Sequence, residues 1–117
     1  MQACRIAGVV AVVLLVASFV GADGSRTYSK SIEQVWDEAV KAVRDADLVL
    51  TDSDRSEHWF EMETPEKTLK RTVRFEVQLA GSGTTTQVTV RATHRAGTTR
   101  SDKVMARYLE ALDERMD

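Results

Sequence analysis

Two histidines, His58 and His94, are the residues of this 117-residue chain best suited to bind a metal ion or to transfer protons. Both fall at positions that point inward along predicted strands, on one face of a sheet. A third strand separates the two, so the rings would stand about 9–10 Å apart even at the same height. Because metal ligands must converge, we predict a structural role for both histidines, with no metal site and no cofactor.

Serine and acidic patterns also fail to assemble into a reactive site. No serine stands in a Gly-x-Ser-x-Gly elbow. The "GSG" at Gly81 is not followed by the helix that a phosphate-binding loop needs. The acidic stretch "DADLVLTDSDRSE", from Asp45, lacks the ligand spacing of a calcium loop and is typical of a solvated turn. We therefore predict no catalytic residues and no enzymatic activity.

The remaining candidate chemistry lies on the solvated face of the predicted sheet, where Trp59, Glu61, Arg74 and Arg91 all point outward. One interpretation is cross-strand charge pairing. The other is a docking surface with Trp59 as its anchor, since aromatic and arginine side chains are favoured at interfaces. A two-residue loop at Ser82-Gly83 would set Arg74 opposite Arg91. We then expect a cluster of Glu61, Arg74 and Arg91, with Trp59 within cation–π reach.

Two amphipathic helices must flank this sheet. In "SIEQVWDEAVKAVRDAD", Ser31 and Gln34 have the spacing of a capping box, and Trp36 lies on the apolar side. A second helix is predicted to begin at Ser101, after "AGTTR" breaks the last strand. Its apolar stripe consists of Val104, Met105, Tyr108, Leu109, Leu112 and Met116.

Between the helices the hydrophobic period changes to two, which predicts strands with one buried and one solvated face. The inward positions are Leu48 and Leu50, then Phe60 and Met62, then Val73, Phe75, Val77 and Leu79, and finally Thr86, Val88, Val90 and Ala92. The Ser82-Gly83 loop would pair Val77 with Val88. A short polar stretch carrying Tyr28 is a further edge strand, and its position in the sheet stays open.

One sheet face is apolar, and each helix has an apolar side that must be buried. Both helices should therefore pack on that face. The predicted fold is α+β, with a single antiparallel sheet of four to five strands and two helices packed on one face, in the order β-α-β-β-β-β-α. Trp36 is expected to pack on Phe60 and its neighbours in the sheet.

The first 22 residues are predicted to be a signal peptide. A head with one charge at Arg5 precedes an apolar run from Ile6 to Val20, and small residues follow before Asp23. An uncleaved membrane anchor is the alternative, although the run is short for a membrane span. Cys4, the only cysteine, precedes the run, so we expect no lipidation. The domains are therefore residues 1–22, the signal peptide, and residues 23–117, a single domain in the periplasm or outside the cell.

The formal net charge of −2, with both signs interspersed, argues against nucleic acid or an anionic membrane surface as a partner. The stretch "TYSKSIEQVWDEAVKAVRDADLVL", with the closing "SDKVMARYLEALDERM", resembles a family of small exported bacterial proteins, many of them lipoproteins, that carries only a domain-of-unknown-function label. The resemblance implies an envelope location and a strand-helix-four-strand-helix fold, with no assigned chemistry. The chain departs from that family in lacking the lipidation cysteine.

Two functions follow. The first is a non-catalytic interaction domain of the cell envelope that binds a protein partner through the solvated sheet face or an edge strand. The second is a small apolar-ligand-binding protein with a pocket between helices and sheet. Tyr28, Met62, Met105 and Tyr108 would line such a pocket, although ordinary core filling is the favoured explanation for these residues because protein interiors are close-packed. The sequence leaves the oligomeric state open.

Overall fold

The predicted order of elements is confirmed in a computed structural model, which describes residues 23–65, 72–94 and 98–117. The elements are β1 (Asp23–Tyr28), α1 (Ile32–Asp45), β2 (Val49–Asp54), β3 (Trp59–Glu63), β4 (Arg74–Ser82), β5 (Thr85–His94) and α2 (Thr99–Met116). The predicted signal peptide lies outside the described residues.

The strands form one antiparallel five-stranded sheet in the order β1-β5-β4-β3-β2. Strands β2 to β5 follow one another as neighbours, whereas β1 crosses over to pair with β5. The sheet therefore has two edges, β1 and β2. The strand that carries Tyr28 is an edge strand, as predicted.

Helix α1 begins and ends with local hydrogen bonds. Ser31 and Gln34 form the predicted capping box. At the other end, Leu48 N donates to the Val43 carbonyl and Asp47 N to the Arg44 carbonyl, each at 2.9 Å. This pair of bonds is a Schellman motif, and Asp47 adopts the left-handed φ of 60° that the motif requires.

Helix α2 starts two residues earlier than predicted. Thr98 is its N-cap and forms a capping box with Ser101, which therefore lies in the first turn rather than at the start. The polar residues "TTRS" do not break the helix, because the cap satisfies its first amides. The predicted apolar stripe of α2 is buried as expected.

Both helices pack on one face of the sheet, and the core lies between the two layers. Trp36 is 5% exposed, and its ring meets Phe60 edge-on at 5.6 Å and His58 at 6.1 Å. Val77 and Phe75 are fully buried beneath the helices. Full burial of a large apolar side chain contributes roughly 1.5–3 kcal/mol, so these contacts anchor the two layers together.

The predicted register between β4 and β5 is wrong by two residues. The turn is at Gly83-Thr84 rather than at Ser82-Gly83, so Val77 pairs with Val90 instead of Val88. Gly83 has a φ of +66°, and a glycine is favoured as the first central residue of a type II′ turn. A shift of two residues keeps each side chain on its predicted face but changes every cross-strand neighbour.

Candidate interaction surfaces

The four residues predicted to form an interaction face do lie on the side of the sheet opposite the helices, but not as the predicted cluster. Arg74 is opposite Glu63, and its Nε donates to the Glu63 carboxylate at 3.0 Å. Arg91 is opposite Glu76 rather than Arg74. The expected Arg74–Arg91 pairing is therefore wrong, and the cause is the turn position.

The observed register creates a different charge pattern on this face. Asp52, Glu61 and Glu76 are cross-strand neighbours on β2, β3 and β4, and Arg91 follows on β5. Directly opposed like charges are unfavourable. Trp59 lies one row away, between Asp54 and Gln78, and is partly buried. Arg74 is level with Glu63, four residues along β3 from Trp59, so the register does not place Trp59 beside Arg74.

Both histidines deviate from their predicted strand positions. His58 lies in the turn before β3 with a φ of 58°, and its Nε2 is 3.3 Å from the Glu33 carboxylate. His94 is exposed, because β5 is irregular at its end and pairs His94 with Arg74 on the outer face. Within the described ranges, no group of three His, Cys, Asp or Glu side chains is placed to hold a metal ion.

The acidic turn between β2 and β3 is organised by its own hydrogen bonds and by α1. Asp54 accepts from the Ser56 hydroxyl at 2.6 Å and from two backbone amides, and these bonds lower the pKa of its carboxyl. Arg55 donates to Glu33 at 2.8 Å and to Asp37 at 3.2 Å. Hydrogen bonds from Arg55 and then His58 lower the pKa of Glu33. These contacts tie the turn to α1.

Of the four residues predicted to line a ligand pocket, three lie buried in the core and one is partly buried. Met62 and Tyr108 are fully buried and Met105 is 7% exposed. The Tyr108 hydroxyl donates to the Ala39 carbonyl at 2.7 Å, which joins α2 to α1. Tyr28 is partly buried, and its hydroxyl donates to Asp113 on α2 at 2.6 Å. Burial raises the pKa of both tyrosines, and for Tyr28 the bond to Asp113 adds to the effect.

A groove that the sequence did not reveal runs between α1 and the edge strand β2. It has a volume of about 420 Å³, and its apolar lining consists of Val40, Val43, Leu48, Val49 and Leu50. Val49 and Leu50 are 45% and 40% exposed, the two large hydrophobic residues exposed in the described parts of the chain. None of the four predicted pocket residues lines this groove.

Charged side chains form the rim of this groove. Arg115 donates to both Asp45 and Glu38 on α1, and these hydrogen bonds raise the pKa of its guanidinium. Lys41 is 3.9 Å from Glu38, at the limit of an ion pair. Arg44 forms no ion pair with any residue that the structure describes. The rim therefore exposes positive charge beside the apolar lining.

Comparison with known proteins adds little to this geometry. No family model matches the chain, and no curated protein matches its sequence. A solved structure that resembles it is a DUF4468 family protein from Bacteroides ovatus, with 14% identity and a TM-score of 0.39. That match covers 62% of this chain and 56% of the Bacteroides chain. DUF4468 is a bacterial family of unknown function.

In the part of the chain that the structure describes, no helix is long and apolar enough to cross a membrane.

Proposed function

We propose that this chain is an exported, non-catalytic interaction domain of the cell envelope, and that it binds an extended segment of a partner protein at the edge strand β2. The single observation that carries the proposal is an open strand edge with exposed apolar residues beside an apolar groove. The apolar run and small residues before Asp23 support the export.

The outer edge of β2 offers backbone groups that no described strand pairs. β2 pairs with β3 on one side, and no described strand covers its other side. Residues Val49–Ser53 are all exposed. Soluble proteins normally protect such edges with charges or bulges. Here Asp52 and Asp54, and a break in register between Leu50 and Asp52, protect only the second half of the strand.

In the first half of β2 no charge or bulge of the described residues gives such protection, and this half adjoins the groove. Leu50 pairs with the buried Met62, so its side chain lies on the helix side of the sheet and faces the groove. In recognition by strand addition, backbone hydrogen bonds supply affinity and side-chain pockets supply specificity. A partner strand beside Val49 and Leu50 could place one apolar side chain in the groove.

The positive charge on the rim of the groove indicates which kind of partner segment would bind there. Lys41 and Arg44 lie on the rim of the groove, and both are exposed. Complementary charge favours specificity and fast association. We therefore propose a partner segment with an apolar residue next to an acidic one. The core positions of Met62, Met105 and Tyr108 favour this function over the binding of a small apolar ligand between helices and sheet.

The test is selection of extended peptides from a random library, followed by affinity measurements on a selected sequence. We expect the selected peptides to share an acidic residue near an apolar one, and to shift the amide resonances of Val49 to Thr51. Leu50→Lys should weaken binding by about tenfold or more, as for a buried interface anchor. The matched control is Thr27→Lys on the opposite edge strand, which should leave affinity unchanged.

The proposal is wrong if Leu50→Lys and Thr27→Lys bind the peptide equally well. It is also wrong if the resonance shifts map to Trp59 and Glu61, because the solvated face would then be the docking surface. Thermal denaturation of both variants checks that a loss of binding is not a loss of folding.

A further inference from the structure

A second pocket lies between the first half of α2 and the end of β3, and it shares no lining residue with the groove at β2. Its volume is about 560 Å³. Three cationic side chains of α2, Arg100, Lys103 and Arg107, line it, and Asp47 is the one carboxylate among the described lining residues. The pocket therefore combines concentrated positive charge with apolar surface.

The spacing of these cations indicates a single surface. Residues three and four apart lie on the same face of a helix, so the three side chains follow one another along α2. They span about 10 Å of the helix axis at 1.5 Å per residue. Like charges at these spacings destabilise a helix. Lys103 and Arg107 form no ion pair with any described residue that would offset this cost.

The other groups in the pocket suit an organic anion. Thr99 begins α2, so the pocket lies at the positive end of the helix dipole. Thr64 is 3% exposed, and its hydroxyl oxygen accepts from the Val73 amide at 3.0 Å, which fixes the position of this side chain in the pocket. Pro65 and Val104 provide an apolar wall.

We propose that this pocket binds a small molecule that carries a phosphoryl group. One arginine fork can satisfy a carboxylate. Three separate cations match the larger charge and the additional acceptor oxygens of a phosphate or diphosphate better. Arg100, Lys103 and Arg107 would contact the phosphoryl oxygens, and the organic part of the ligand would lie against Pro65 and Val104.

The first experiment is a titration of the purified protein with inorganic pyrophosphate and with glycerol phosphate, followed by amide resonances and calorimetry. We expect saturable shifts at Thr64 and along Thr99 to Arg107, with an affinity that falls as salt is added. The double variant Lys103→Gln/Arg107→Gln should weaken binding by about tenfold or more, because two charge-assisted hydrogen bonds are lost.

Three controls make the result decisive. Lys41→Gln/Arg44→Gln removes the same charge from α1, and it should leave the affinity unchanged. Arg107→Lys keeps the positive charge, so it should retain most of the binding. Acetate should bind more weakly than glycerol phosphate. The proposal is overturned if either phosphate probe fails to saturate, if acetate binds equally well, or if the α1 variant loses as much affinity as the α2 variant.

A second experiment distinguishes a soluble ligand from a lipid headgroup. Vesicles of phosphatidylcholine with and without phosphatidic acid are sedimented with the protein. Binding that needs phosphatidic acid and is competed by glycerol phosphate assigns a headgroup to the pocket. Binding of the soluble probes without vesicle binding assigns a soluble ligand. Vesicle binding that persists in Lys103→Gln/Arg107→Gln would overturn the pocket as the site.

Discussion

Replacement of Tyr108 by phenylalanine tests the contact that joins the two helices. The hydroxyl is fully buried and donates to the Ala39 carbonyl at 2.7 Å, so the substitution removes one hydrogen bond and little volume. The Ala39 carbonyl lies inside α1 and keeps its helical partner. We therefore expect a loss of about 1 kcal/mol, the net contribution of a typical buried hydrogen bond.

The assay is urea denaturation at neutral pH, supported by thermal unfolding. In a domain of this size, about 1 kcal/mol lowers Tm by roughly 4–8 °C. Tyr108→Ala is the matched variant, because it also leaves a cavity and should cost about 3–5 kcal/mol. If Tyr108→Phe is as stable as the parent, the hydrogen bond contributes nothing and the reasoning is refuted.

Tyr108 should also make the stability of the domain depend on pH in the alkaline range. Burial raises the pKa of Tyr108 in the folded state, whereas in the unfolded chain its pKa stays near 10. The stabilising effect is therefore complete below about pH 10 and is lost as pH rises toward the folded-state pKa. We expect the free energy of unfolding to fall above about pH 10, and to fall less steeply in Tyr108→Phe.

Three further outcomes are expected. Trp36→Ala should lower the free energy of unfolding by about 3–5 kcal/mol, because it removes the ring that packs on Phe60, and urea denaturation would measure the loss. Gly81→Ala should destabilise the domain by about 1–3 kcal/mol, since the new methyl would lie 2.8 Å from Cβ of Ile32, and a normal Tm would contradict this. If the chain is exported as proposed, its mature form should begin at Asp23, and an intact mass that includes residues 1–22 would show that the signal peptide is retained.

The sequence predicted the layers of this fold better than it predicted the neighbours within them. Alternation identifies which face a side chain occupies, and the two-residue error at Gly83 preserved the faces of β5 except for His94 at its irregular end. Phe75 and Val77 were therefore correctly placed in the core. Cross-strand pairs depend on the position of the turn, and "GSGT" is compatible with a two-residue loop at more than one position. The predicted pairing of Arg74 with Arg91 is wrong for that reason.

The exposed apolar residues and the pockets could not be predicted from the hydrophobic periodicity of the sequence. Leu50 has the same inward pattern as Met62, yet Leu50 is 40% exposed because its strand lies at the edge. Alternation alone does not distinguish an edge strand from a central one. The pocket between α2 and the end of β3 brings together Thr64 and Lys103, which are far apart in sequence, so only the three-dimensional structure reveals it.

The pairing of β1 with β5 has a consequence for the order in which the chain folds. Strands β2 to β5 join neighbours that follow one another in sequence, whereas Tyr28 must find Thr86 across more than half of the described chain. Closing a long loop is entropically costly, so such contacts form late. Arg26 and Tyr28 both bind Asp113, which α2 supplies. The first strand is therefore held by both β5 and the last helix, so β1 completes its native contacts only when the carboxyl-terminal helix is present.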